Sequence, residues 1–277
     1  MKIAVVTLVL NQPEVTQRFL NTLRENESGA NIPLLVVDNG SMPPVRDWLL
    51  GLREGDNVIR NGENEGVVKG MNQAWGVLKN VTDYILFIHN DVLIHEKGWD
   101  IKLGRLLEGL PDCGVAGFYG AKGIGTHDIY RTPYVMQQLI RVENVSNCNR
   151  MNPAIHGFRS IRKNEVTKGE TEEVAVLDGF SLLVKTELLN KLEGFDRSLG
   201  PHHSYDNQLC LDSMNLGYRN FVLSMDADHL GGRTDVLEDW NKNFGKSKAD
   251  IHKDSHIPLY EKWKPGKNKI TLPIRVA

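Results

Sequence analysis

The residues able to do chemistry lie in four polar clusters. His89-Asn90-Asp91 follows the apolar run 84–88, and a carboxylate at the mouth of a buried strand has no packing reason to be there. His89 and Asp91 are two apart, so an extended chain would point both to one side. His229 comes just after the apolar run 221–223, flanked by Asp226 and Asp228 and followed by Gly231-Gly232. Asp206 opens a predicted helix after Gly200-Pro201-His202-His203, and Asp38-Asn39-Gly40-Ser41 ends another apolar run. Carboxylates and an imidazole brought together would hold a hard divalent cation able to bind a diphosphate. A separate carboxylate within reach of a hydroxyl would act as a base. Each residue also has a structural reading. Asp91 would be a turn cap, His89 a polar strand-end residue, His229 a structural histidine, and Asp206 an N-cap carboxylate. Residue type alone leaves both readings open.

The elements that must position these groups follow from periodicity. Residues 3–10 form a short β-rich apolar run, followed by a helix in which Pro13 suits the first turn and Val15, Phe19, Leu20 and Leu23 share a face. Further strands are expected at 34–37, 58–59 and 84–88. Between them come a short helix around Trp48, Leu49 and Leu52 and a longer one over 66–79 with Val67, Met71, Ala74, Trp75 and Leu78 on one face. This alternation predicts an α/β fold with a mostly parallel sheet flanked by helices. In such sheets ligands bind beyond the carboxyl ends of the strands. The clusters at 38–41, 61–66 and 89–91 all lie at such ends.

Beyond that half, the spacing predicts a helix over 98–110 and a strand over 113–118. A strand-like run over 174–185 is interrupted by Asp178-Gly179. Helices follow over 186–192, with Thr186 as N-cap, and 206–215, then a strand over 221–223. Residues 122–173 are polar and rich in Gly and Asn, and show no assignable period.

Composition narrows the class. With 40% hydrophobic and 25% charged residues among 277, the chain has the makeup of a folded protein. A net charge of −2 gives no global nucleic-acid signature. From Asn241 to Ala277, however, nine Lys or Arg face three acids. That stretch is either a solvated tail or a surface for an anionic acceptor, a phosphate-bearing partner or a membrane face. Three scattered cysteines without a CxxC pair point to reduced thiols in a cytoplasmic setting, not to a disulfide scaffold. No apolar run approaches the roughly 20 residues of a membrane span. The opening run 3–10 lacks a cleavage site and fits a buried strand better than a signal peptide.

Taken together, the motifs resemble the inverting glycosyltransferases of family 2, of GT-A fold, and within them the rhamnosyltransferase-like group. The likeness covers about residues 2–232. Val36-Val37-Asp38-Asn39-Gly40-Ser41 is similar to the family's second-strand ending, and Asn64-Glu65-Gly66-Val67-Val68-Lys69-Gly70-Met71-Asn72 to its N-x-G-x-x-x-G-x-N stretch. Leu86-Phe87-Ile88-His89-Asn90-Asp91 stands in the place of D-x-D. Asp178-Gly179-Phe180 and Gly194-Phe195-Asp196 resemble acceptor-side segments. Tyr205-Asp206-Asn207-Gln208-Leu209 resembles E-D-x-D-L, and His229 falls where many members place a late metal-binding histidine.

The resemblance implies a nucleoside-diphosphate sugar donor, UDP-linked first among them, and Mn²⁺ or Mg²⁺ held by Asp91 and His229. Asp206 would be the base. The donor would meet Thr7, Asn11, Asp38, Asn39, Asn64, Gly66, Lys69, Asn72, His89, Asn90, Asp178 and Gly179. His89 would be a group behind the metal or a sugar contact. The acceptor would be a glycan, a glycolipid or hydroxyl-modified DNA. The implied domain is 1–232, with a nucleotide half (1–118) and an acceptor half (119–232). The basic extension 233–277 would pack on it or contact the acceptor. Three departures stand out: His89 replaces the first acid of D-x-D, Gln208 replaces the second Asp near the base, and Asp212 stands where a basic residue is common. The loss of that first acid would also suit a non-catalytic nucleotide-binding relative. A nucleotidyltransferase would need a Gly- and Lys/Arg-rich loop after the first strand, and Leu10-Asn11-Gln12-Pro13 is unlike one.

Overall fold

The computed structural model describes residues 1–43, 56–125, 141–146, 150–151, 170–200, 202–230 and 245–277. The expected helix around Trp48 lies outside these residues, as do Gly231 and Gly232.

The first half builds as its periodicity demands. Strands β1 (Ile3–Val9), β2 (Leu34–Asp38), β3 (Asn57–Arg60) and β4 (Tyr84–Ile88) pair in parallel in the order β4-β1-β2-β3. Helices α1 (Pro13–Glu25), α2 (Val67–Leu78) and α3 (Trp99–Glu108) are the amphipathic connections. A three-residue strand, β5 (Val92–Ile94), follows β4 after a turn.

The second half extends the same sheet. Strands β6 (Cys113–Gly117), β7 (Tyr119–Ile124), β8 (Arg141–Ser146), β9 (Arg150–Met151), β10 (Thr171–Val174), β11 (Val176–Leu177) and β12 (Ser181–Lys185) precede α4 (Thr186–Leu192) and α5 (Tyr205–Asn215). Then come β13 (Arg219–Leu223), β14 (Ala227–His229), α6 (Lys248–Trp263) and β15 (Ile274–Arg275). The eight-stranded sheet runs β10-β13-β6-β12-β4-β1-β2-β3. Only β12 and β10 run against the other strands. Smaller sheets join β11, β7, β15 and β8, and β5, β14 and β9.

Both faces of the large sheet are covered, so its central strands β1, β2, β4, β6 and β12 are largely apolar, while the edge strands β3 and β10 are partly polar and only partly buried. Along β1, Ala4 and Val6 join the core with Met71, Phe87, Leu209 and Trp263. Ile3, Val5 and Val9 turn to the other face with Phe19, Leu23, Trp99 and Leu103. Trp99 is fully buried and its indole N–H donates to the Leu23 carbonyl at 2.8 Å, locking α3 onto α1. Among the described residues no helix is long and apolar enough to cross a membrane.

Four expectations need correction. Residues 122–173 are not uniformly irregular, because β7 pairs with β8, β11 and β15 and β10 pairs with β13. Close backbone approach at Gly123, and at Gly120 just before this stretch, explains why glycine stands there. A Cβ on Gly120 would stand 2.4 Å from the Val176 carbonyl oxygen, and one on Gly123 3.0 Å from that of Ile274. Thr186 is the first helical residue of α4, with Lys185 in the cap position, because β12 runs straight into the helix. Asp206 sits in the first turn of α5 while Ser204, at φ +64°, takes the cap position. Finally, the basic tail contains a 16-residue helix, α6, capped by the Ser247 hydroxyl accepting from the Asp250 N–H. Its Ile251, Leu259 and Trp263 are buried, and the Trp263 indole N–H donates to Gln208 Oε1 at 2.9 Å.

Candidate active site

The carboxyl ends of β1, β2, β4, β6 and β13 lie on one side of the sheet, and the polar clusters collect there. After β4 the chain turns through 89–91, with the His89 N–H donating to the Phe180 carbonyl at 2.9 Å. It leaves as β5, which pairs antiparallel with β14 so that Val92 faces His229. The Leu230 N–H donates to the Asp91 carbonyl at 2.9 Å. This small sheet brings His229 to Asp91 across a separation of 138 positions in the chain.

The result is a three-residue donor set. His229 Nε2 lies 3.3 Å from Asp91 Oδ1, and His89 Nδ1 lies 3.9 Å from the same oxygen. One ligand atom from each of the three residues falls within 4.8 Å of the others. The Phe180 ring stacks on His229 at 4.2 Å and 20°, fixing the imidazole, and His89 meets His229 edge-on at 5.7 Å. Asp91 and His229 are buried, while one edge of His89 meets solvent. Among the described residues, Asp91 Oδ1 and both His229 ring nitrogens are buried without a hydrogen bond. Such atoms are costly in a protein interior unless something coordinates them, and a divalent cation fits this donor set. Burial alone would raise the Asp91 carboxyl, but His229 and then His89 outweigh it and hold it below the ordinary carboxylate range. Desolvation in the cleft lowers the His89 imidazole against the pull of Asp91.

The loop between β11 and β12 joins this donor set to the base candidate. The Gly179 N–H donates to Asp206 Oδ2 at 3.1 Å, and the Asn207 N–H donates to Oδ1 at 2.7 Å. The Phe180 N–H donates to Asp178 Oδ1 at 3.3 Å. Asp206 therefore touches the same short loop whose Phe180 holds His89 and His229. Gly179 has no room for a side chain: a Cβ would stand 2.3 Å from Tyr205 Oη. Gly179→Ala is expected to displace the Tyr205 ring and cost about 1–3 kcal/mol of stability. Turnover should fall with it, because Asp206 loses its anchor. Urea melts paired with initial rates check this, and a wild-type rate in the folded variant would show the anchor to be idle.

The nucleotide-side residues fall into two groups. Asp38, at the end of β2, accepts from the Ser41 N–H at 2.9 Å, and its other oxygen lies 3.4 Å from Arg60 Nη1. Gly40 adopts φ +89° and abuts the Glu63 backbone, where a Cβ would stand 2.7 Å away. Asn11, at φ +50°, ties β1 to this turn by accepting from the Met42 N–H at 2.7 Å. Thr7 is buried on β1, its hydroxyl without a hydrogen bond among the described residues. Lys69 pairs with Glu65 on the exposed side of α2.

Other expected donor contacts are also hydrogen-bonded into the scaffold. Asn39 donates to Asn64 Oδ1 and accepts from Asn61 and the Glu65 N–H, and Asn64 also accepts from the Gly66 N–H. Asn72 donates to the Phe195 carbonyl at 3.0 Å and accepts from its N–H at 2.8 Å. Asn90 donates to Thr16 on α1 at 2.8 Å. Sequence reasoning missed Arg60, Phe180 as a ring platform, and Tyr205. Arg60 had a usable signal, a cation at a strand's carboxyl end. The ring roles had none.

Residues 4–178 match the model of a protein family described as glycosyl transferase family 2. No curated protein matches the sequence. Among solved structures, the chain is similar to a mannosyltransferase from Pyrobaculum calidifontis in complex with GDP-mannose and Mn²⁺, at TM-score 0.52 and 14% identity over 93% of this chain and 70% of that one. It is also similar to residues 1–349 of S. aureus TarS in complex with UDP, at TM-score 0.55 and 16% identity over 81% of this chain. A third similar structure is GalNAc-T7 with UDP, GalNAc and Mn²⁺, at TM-score 0.66 and 12% identity over 95% of this chain. The chain spans 58% of that TarS structure's length and 48% of GalNAc-T7's. At these identities the likeness is one of fold, the GT-A arrangement of a mixed, mostly parallel sheet between helices. With the family match covering well over half of its length, this chain belongs to glycosyl transferase family 2.

Proposed function

We propose that the chain moves a sugar from a nucleoside-diphosphate donor, a UDP-sugar first, to an acceptor hydroxyl with inversion, in the manner of the rhamnosyltransferase-like group. The observation that carries this is the placement of Asp206 and of Asp91 with His229 around one loop at the strands' carboxyl ends. Asp206 accepts the proton of the acceptor hydroxyl while that oxygen bonds to the anomeric carbon. The bond from that carbon to the diphosphate oxygen breaks in the same displacement. Asp91 and His229 would hold a divalent cation, which supplies countercharge to the departing diphosphate. Asp38, backed by Arg60, would receive the base, and Asp178 and Gly179 would border the sugar. The nucleotides and Mn²⁺ held in the similar structures support a diphosphate donor and a metal.

Residues 1–232 would form the catalytic domain, with 233–277 as an extension. Lys246, Lys262 and Lys264 of that extension are paired with Asp254, with Asp196 and Asp212, and with Glu261. That weakens the electrostatic case for a DNA acceptor, and a glycan or glycolipid hydroxyl is the acceptor favoured here. Cys113 and Cys210 are buried and in no disulfide, in keeping with a cytoplasmic setting.

The test is a thermal-shift and nucleotide-release screen with UDP-, GDP- and dTDP-sugars, each in Mn²⁺, Mg²⁺ or EDTA. One nucleotide at about 100 times its Kd should stabilise the fold by about 2.7 kcal/mol. EDTA should abolish the effect, and slow donor hydrolysis should accompany it. No shift with any pair would favour a non-catalytic relative.

A further inference from the structure

We infer that His89 is the third protein ligand of this metal, and that the resulting two-imidazole, one-carboxylate set selects nitrogen-accepting ions over Mg²⁺. The inference rests on the metal reading of Asp91 and His229 and goes beyond it in ligand identity and ion class. His89 occupies the first position of the 89–91 turn, where a second carboxylate would give an oxygen-rich site. Its backbone N–H is held by the Phe180 carbonyl, which fixes the start of the turn. Its ring stands against the ring of His229, with Nδ1 3.9 Å from the Asp91 oxygen that His229 also faces. A merely solvated strand-end histidine would have no reason to converge on that oxygen. Three donor atoms within 4.8 Å of one another, one on each residue, suit a single ion.

The consequence for selectivity follows from charge and softness. A site with two carboxylates offers an ion two negative charges, whereas this one offers one. Mg²⁺ is held largely by charge, demands oxygen ligands and sheds water reluctantly, so it loses most by the exchange. Mn²⁺, Co²⁺ and Zn²⁺ accept imidazole nitrogen, with affinity rising toward Zn²⁺ along the usual order for first-row ions. Phe180 stacked on His229 keeps that ring in place, so the nitrogen ligand cannot easily swing aside for water.

The experiment uses the full chain and the metals themselves. Calorimetric titration with MnCl₂, CoCl₂, ZnCl₂ and MgCl₂, each with and without UDP as diphosphate probe, reads selectivity. Pulsed electron paramagnetic resonance of the Mn²⁺-loaded chain counts directly bound ¹⁴N nuclei. The expected result is Mn²⁺ binding at least about tenfold tighter than Mg²⁺, Zn²⁺ tighter still, and two coupled nitrogens. His89→Asp should drop one nitrogen and narrow the Mn²⁺/Mg²⁺ ratio. His89→Ala should drop one nitrogen while Mg²⁺ stays weak, and thermal melts confirm that each variant folds. A single nitrogen in the wild type, or equal Mg²⁺ and Mn²⁺ affinity, overturns the inference while leaving Asp91 and His229 as ligands. Absence of any metal binding, with UDP present, removes both this inference and the metal reading beneath it.

Discussion

Asp206→Asn should lower the rate of nucleotide release by about 10²–10⁴-fold while donor affinity stays near wild type. The substitution is nearly isosteric. An asparagine can still present its oxygen to the Gly179 N–H, which donates to Asp206 Oδ2 at 3.1 Å, although its NH2 then replaces the Oδ1 that accepts from the Asn207 N–H. What disappears is the negative charge and the lone pair that takes the acceptor proton. The loss should therefore fall on kcat and spare KM. Steady-state kinetics on the donor identified by the screen, with calorimetric donor affinity alongside, separate the two. An unchanged kcat would return Asp206 to its structural reading, an acid favourably placed at the start of a helix.

Trp263→Ala is expected to be the most damaging substitution in the C-terminal region. The indole is almost fully buried in the same core as Phe87, Phe195 and Leu209. Truncating a buried tryptophan costs about 3–5 kcal/mol. The change also strips the hydrogen bond from Gln208 Oε1, at 2.9 Å, inside a buried network in which Gln208 Nε2 donates to Asp212 at 2.5 Å. Lys262 binds the same Asp212 at 3.4 Å and Asp196 at 3.2 Å, so α6, α5 and the turn at 194–196 are fastened together. Against a total stability of about 5–15 kcal/mol, the loss should appear as a large fall in the urea midpoint. Trp263→Phe keeps most of the volume and should cost about 1–2 kcal/mol. Equal, small effects from both would mean that α6 is only loosely attached.

Much of the first half was legible in the sequence. Apolar runs at 3–10, 34–37 and 84–88, punctuated by amphipathic helices, specify a parallel sheet, and turn residues at strand ends announce where ligands bind. The pairing of Asp91 with His229 was visible only by resemblance. The strands that unite them, β5 and β14, have three residues each and too little period to be read. The C-terminal helix escaped notice because Pro258 lies inside it and its apolar residues are sparse, so lysine count dominated the reading. Asn39, Asn72 and Asn90 look like ligand contacts by type and position. Only the structure shows their amides occupied by backbone and side-chain partners, a use that residue identity does not distinguish from binding.

The place of β12 has a consequence for how the molecule is handled and made. Running opposite to its neighbours, it fills the gap between β4 and β6, pairing Leu182 with Phe87 and Leu183 with both Leu86 and Ala116. The family match stops at residue 178, three positions short of it. A fragment trimmed to that boundary would bare one edge of Tyr84–Ile88, an apolar strand whose amides on that side lose their partners while β1 holds the other, a template for aggregation. On the ribosome the nascent chain passes through the same vulnerable state, and it ends only when the segment after Asp178 emerges and closes the sheet.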